Sequence, residues 1–200
     1  MPSLKEIKNR ITSVQSTRKI TSAMKMVASS KLHHAQMMIE NMLPYENLLE
    51  SMLKTYLEAE VDARTVLTLP REVKKAALVV FASNSSLCGG FNANVLKMMQ
   101  QAVDGYKKRG VEVIIYPVGR KVSEKVNKLG LNTAGNFNSL ADKPNARDCV
   151  KIGEELQELF RKDEIDAVEM IYHHFKSAGS QILLTKKLLP IDVEKAMDYD

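Results

Sequence analysis

The chain has 200 residues, 44% hydrophobic and 26% charged, which is enough for one substantial core and within the range of one or two domains. No apolar run approaches the ~18–20 residues that a bilayer crossing requires, and nine Gly and six Pro are too few for a collagenous or low-complexity chain. Two cysteines, Cys88 and Cys149, have no spaced partners for a disulfide framework or a zinc ribbon, so a reducing compartment is expected. The opening Met-Pro-Ser-Leu-Lys-Glu has no apolar stretch of the secretory type.

The net charge of +5 is unevenly distributed. Lys5, Lys8, Arg10, Arg18, Lys19, Lys25 and Lys31 against the single acid Glu6 give the first 36 residues +6, while the remaining 164 carry 22 basic and 23 acidic groups. Whatever acidic surface the chain meets, it meets through this segment.

The segment reads as one long helix. Ser3 and Glu6 form a capping box, in which a hydroxyl and a carboxylate each satisfy an otherwise unpaired backbone N–H. Leu4, Ile7, Ile11 and Val14 follow at the 3-4-3 spacing of a coiled-coil seam. The seam breaks at Arg18, resumes as Ile20, Met24 and Val27, and continues from Ala35 through Met38, Met42, Tyr45, Leu49 and Met52 to Tyr56. Pro44 is the one breaker, and it predicts a kink or an end, because it removes the bond to the Glu40 carbonyl. Such a helix is too long to bury in a domain this small, so it should project and need a partner helix; an ordinary hairpin or bundle also satisfies the pattern. The methionines suit adaptable packing better than metal binding, and the adjacent His33 and His34 diverge around a helix.

After Pro70 and the charged stretch 71–75 the period changes. Buried-strand patterns at 76–83, 111–118, 165–175 and 180–191, with helical patterns at 91–109, 119–129 and 145–162 and a weak edge strand at 131–137, predict an α/β domain with a mostly parallel sheet between helices. The expected division is a helix over 1–60, a linker over 61–75 and the α/β domain over 76–200. The turn after the first strand contains Gly89-Gly90 but no phosphate-loop lysine, and no base accompanies Cys88. Neither a catalytic constellation nor a cofactor or metal site is expected, which argues against a nucleotide-dependent enzyme.

The segment MPSLKEIKNRITSVQSTRKITSAMKMVASSKL resembles the opening helix of the gamma subunits of F-type, rotary ATP synthases. LVVFASNSSLCGGFNANV resembles that family's first strand and its Leu-Cys-Gly-Gly-Phe-Asn loop, and IYHHFKSAGSQ with LLP resembles its late strands. The resemblance runs from end to end. It implies a Rossmann-like domain with a long projecting N-terminal helix, half of an antiparallel coiled coil whose seam includes Leu4, Ile7, Ile11 and Val14. It implies a non-catalytic central-stalk rotor that couples proton flow to ATP synthesis. The implied partners are the hexameric ring of alpha and beta subunits, the epsilon subunit and the c-ring, with neither nucleic acid nor direct membrane insertion. The implied location is peripheral, on the cytoplasmic face of the bacterial inner membrane. Carried over by position, Arg10, Ile20, Thr21, Met24, Lys25 and Val27 form the shaft segment facing the beta subunits, and Ser85, Leu87, Cys88, Gly89 and Gly90 form a second beta-subunit contact loop.

Two departures stand out. Asn84, Ser85 and Ser86 occupy positions where the family usually has an acid, a base and a glycine. The family also continues after Leu188-Leu189-Pro190-Ile191 into a second long helix, whereas this sequence ends at Asp200. The expectation is a fragment whose unpartnered seam self-associates, frays or folds back on the α/β domain. Two cysteines without a cysteine-bearing insert argue against the thiol switch of plastid relatives. The competing reading is a nucleic-acid binder using the basic helix, although residues 1–36 contain no aromatic residue for stacking.

Overall fold

The computed structural model describes residues 3–59 and 65–192. The chain divides into two compact units, Met1–Val61 and Asp62–Asp200. The first is a single helix, α1 (Leu4–Ala59), 56 residues long and so about 84 Å at 1.5 Å per residue. Its start follows the capping box. The Ser3 N–H donates to Glu6 Oε2 at 2.8 Å, and the Glu6 N–H donates to Ser3 Oγ at 3.3 Å.

Pro44 lies inside α1 and does not end it. The Glu40 residue whose carbonyl loses its partner is exposed, so water can satisfy that oxygen and the helix continues. The seam residues Leu4, Ile7, Ile11 and Val14 are exposed, from 44% to 87%, as are Ile20, Met24 and Val27.

The second unit is built on four strands: β1 (Lys75–Phe81), β2 (Glu112–Val118), β3 (Ala167–Ser177) and β4 (Ser180–Leu189), in the order β2-β1-β3-β4. β1 pairs in parallel with β2 from Lys75↔Glu112 to Phe81↔Val118, and with β3 from Ala76↔Ala167 to Val80↔Ile171. β4 returns antiparallel along β3. Parallel neighbours require crossovers, supplied by α2 (Phe91–Lys108) between β1 and β2, and by α3 (Arg120–Leu129), α4 (Asn138–Asp142) and α5 (Ala146–Arg161) between β2 and β3.

The continuous apolar run of β1 reflects burial on both faces. Ala76, Leu78 and Val80 pack with Val95, Met99 and Val103 of α2 and Val122 and Val126 of α3. Ala77 and Val79 pack on the opposite face with Leu140 of α4 and Leu156 and Phe160 of α5. The weak strand expected at 131–137 is absent: Thr133 makes one isolated bridge to Ile115. Its apolar residues divide between the two cores, Leu131 with the first and Ala134 and Phe137 with the second, so the segment wraps the β2 edge instead of extending the sheet.

Within the stretch expected as a linker, 61–75, residues 61–64 lie outside the described residues. The remainder packs on the sheet domain. Leu67 touches the second core and its carbonyl accepts from the Ile191 N–H at 2.8 Å. Asp166, the buried charged residue among those described, accepts from the Lys74 and Lys75 N–H groups at 2.9 Å each. Arg71 pairs with Asp163, reaches the Phe160 carbonyl at 3.0 Å and stacks over the Phe160 ring at 3.8 Å. These contacts tie the entry of β1 to the exit of α5.

Candidate functional site

Two surfaces hold the residues singled out by sequence. The first is the middle of α1. Arg10, Ile20, Thr21, Met24, Lys25 and Val27 are all exposed there. Val14, Thr17, Arg18, Thr21, Ser22 and Lys25 line one shallow groove along the helix. Two threonine hydroxyls in this region bond back onto the helix. Thr17 donates to the Ser13 carbonyl at 2.9 Å and Thr21 to the Thr17 carbonyl at 2.8 Å. Their donors are thereby used, so the groove offers the long cationic side chains of Arg18 and Lys25 beside threonines with no free donor.

The second surface is the loop between β1 and α2. Gly89 has φ +56° and Leu87 φ +65°, both left-handed. Gly90 precedes α2, with no side-chain cap. Ser85, Leu87, Gly89 and Gly90 are exposed and Cys88 is half-buried.

Two asparagines hold this loop, a role that the sequence reading did not assign to them. Asn92 Oδ1 accepts from the Ser83 N–H at 3.0 Å, while its Nδ2 donates to the Ser85 carbonyl at 3.0 Å and to Cys88 Sγ at 3.0 Å. Asn84 Nδ2 donates to the Asn138 carbonyl at 2.8 Å and to Asp142 at 2.7 Å, and its Oδ1 accepts from the Arg120 N–H at 2.7 Å. Asparagine beside a glycine turn is the available sequence signal, since its short amide competes for local backbone groups. Its partners up to 58 positions away are visible only in the fold.

Beyond β1, β3 and β4 continue as a two-stranded ribbon. There His173 stacks on Phe91, the first residue of α2, with ring centroids 4.2 Å apart. Its Nδ1 is buried without a hydrogen-bond partner, and burial lowers its pKa below the usual 6.5. A depressed histidine pKa means that the unfolded chain takes up the proton first. Stability is therefore complete above pH 6.5 and declines as pH falls through 6.5 toward the folded value. Thermal melts between pH 7.5 and 5.5 should show this loss in the wild type and a smaller one in His173→Phe; parallel pH profiles would refute it.

Among the described residues no group of three His, Cys, Asp or Glu side chains is placed to hold a metal ion, and no helix is long and apolar enough to cross a membrane. The chain thus consists of a long basic helix with an exposed apolar seam and a doubly wound α/β domain. The ATP synthase family model matches residues 3–200, and the chain belongs to that family. It is 55% identical to an ATP synthase gamma chain of Bacteroides fragilis over 96% of its own length and 67% of the relative's. It is 51% identical to the ATP synthase gamma chain of Bacteroides thetaiotaomicron over 100% of its length and 67% of the relative's. Among solved structures it is similar to a chain from the central stalk and c-ring of the mitochondrial ATP synthase of Tetrahymena thermophila, with TM-score 0.63 and 25% identity over 86% of this chain and 72% of that one. Nothing in these comparisons supports a nucleic-acid-binding alternative.

Proposed function

We propose that the chain serves as the rotor element of the central stalk of an F-type ATP synthase, a non-catalytic subunit that couples proton flow through the membrane sector to ATP synthesis in the hexameric alpha/beta ring. The observation that carries this reading is the match to gamma chains along the whole chain, at 51% identity to the Bacteroides thetaiotaomicron relative. Its partners are the alpha and beta subunits, epsilon and the c-ring, and its place is peripheral, on the cytoplasmic face of the bacterial inner membrane.

The two surfaces take distinct parts in this reading. On α1, Arg10, Ile20, Thr21, Met24, Lys25 and Val27 face the beta subunits, while Leu4, Ile7, Ile11 and Val14 belong to the coiled-coil seam. A rotor contact has to form and release at successive partners. Flexible Met and Lys side chains, beside threonines whose donors are already used, make several nearly equal contacts without a directional lock. The loop residues Ser85, Leu87, Cys88, Gly89 and Gly90 form the second contact with a beta subunit.

Affinity capture tests the assignment. A tagged subunit expressed with the other subunits of the complex should recover alpha, beta and epsilon, and its ring should hydrolyse ATP. Recovery of the tagged chain without those partners would overturn the reading.

A further inference from the structure

We propose that Leu87 is an apolar anchor, held out by a braced loop, that inserts into an apolar recess on the adjoining beta subunit; this rests on the reading of the 85–90 loop as a beta-subunit contact. Leu87 is 94% exposed, the highest value among the exposed large hydrophobic residues described. Its φ of +65° lies in the left-handed region, which a leucine adopts against its own steric preference. Glycine or asparagine would meet the same backbone requirement with less strain. The side chain thus opposes both its hydration and its backbone preference while adding nothing to either core of the domain. Strain of this kind at a surface position points to a binding role.

The bracing makes the leucine effective as an anchor. Asn84 fixes the chain ahead of it to α3 and α4, and Asn92 fixes Ser83, Ser85 and Cys88 on either side of it. A loop held in its presenting conformation before contact loses little conformational freedom on binding, so the burial of one side chain is expressed more fully in affinity. Cys88 is occupied by the Asn92 amide, which leaves Leu87 as the large apolar group at the tip.

The chemistry of the partner follows from what the loop lacks. No Asp, Glu, Lys, Arg or His occurs between Lys75 and Lys97. Residues 76–96 themselves therefore offer an acidic surface no cation and a basic one no anion, and the carboxylate bonded to the loop, that of Asp142 on α4, is engaged by the Asn84 amide. What the loop offers is one leucine with Ser85 and Ser86 beside it, which suits an apolar recess with a polar rim. The shaft helix and the loop therefore contact the ring by different physics: the first is sensitive to salt and the second is not.

The test uses the subunit assembled with alpha, beta and epsilon. Leu87→Gly and Leu87→Ala subunits compete with the wild type for a limiting amount of ring, at low and at high salt. Losing a buried leucine side chain is expected to disfavour each variant roughly 10- to 100-fold, by the same factor at both salt concentrations. The isolated Leu87→Gly chain should melt no lower than the wild type, because glycine relieves the left-handed strain; this separates loss of contact from loss of fold. Equal competition by Leu87→Gly, or a deficit that disappears at high salt, overturns the anchor. A photo-reactive benzoyl-phenylalanine at position 87 identifies the neighbour. An adduct with beta alongside the competitive deficit supports both readings. An adduct with epsilon or alpha alongside that deficit overturns the beta-subunit assignment of the loop, and a beta adduct without a deficit overturns the anchor alone.

Discussion

Gly119→Val destabilises the α/β domain by about 4 kcal/mol, and it should be the most damaging single substitution near the β1–α2 loop. A β-carbon at Gly119 would lie 2.1 Å from the Ala82 carbonyl oxygen and 2.8 Å from its carbon, both backbone atoms that cannot rotate away. The φ of +111° is one that side-chain-bearing residues rarely adopt, which adds to the overlap. The close approach exists because two strand exits meet there. The Ala82 N–H donates to the Val118 carbonyl at 2.9 Å, the Lys121 N–H to the Ser83 carbonyl at 3.2 Å, and the Arg120 N–H to Asn84 Oδ1 at 2.7 Å. Pushing β2 from β1 at this point therefore also disturbs the footing of the 83–90 loop. Gly110→Ala is the control. It has φ +71°, but a β-carbon there meets nothing within 4 Å, so its cost is the backbone term alone, about 1 kcal/mol. Denaturant unfolding compares them directly, and a Gly119→Val loss no greater than that of Gly110→Ala would show that the strand exits can part without penalty.

Gly119 also illustrates what could be read in advance. Its place between an apolar strand and a helix was visible in the sequence, but the carbonyl of Ala82 against it was not, because proximity between positions 37 residues apart is a product of strand order. The same holds for the brace. Leu-Cys-Gly-Gly marks a turn by composition, whereas the links from Asn84 to Asn138 and Asp142 require α4 to be in place, and α4 is five residues long, too short for a periodic pattern. Local signals were more legible. Ser3 and Glu6 bond reciprocally as their spacing dictates, and the unbroken apolar runs of β1 and β2 correspond to strands covered on both faces. The error at 131–137 has the same root as the successes. Apolar spacing states only which side chains are covered, and Leu131, Ala134 and Phe137, at every third position, are covered equally well by a strand or by a segment wrapping a sheet edge. Nor could any local pattern show that Leu87 occupies the left-handed region, since the sequence places a glycine pair two residues later and that pair accounts for a turn by itself.

Reversing Arg18 and Lys25 together to Glu lowers the charge of the first 36 residues from +6 to +2 and should slow assembly with the alpha/beta ring by about 10-fold or more at low ionic strength. Both residues line the groove on α1 with Thr21, and neither makes an ion pair among the described residues, so the substitution breaks no internal contact. Glutamate is close to Lys and Arg in helix preference, so the helix content read by circular dichroism should be unchanged. The effect is then on encounter and not on fold. It should fade as salt rises, since the screening length shrinks from ~10 Å at 0.1 M to ~3 Å at 1 M. Placement is separated from net charge by reversing Lys97 and Lys108 on α2, two exposed lysines likewise without carboxylate partners among the described residues, which changes the total charge by the same amount. If the α2 pair slows assembly as much as the α1 pair, the chain's overall charge steers association and the basic helix has no special part in it. A large effect from α1, a small one from α2 and convergence at high salt would locate the electrostatic contact on the helix, where its concentration of charge puts it.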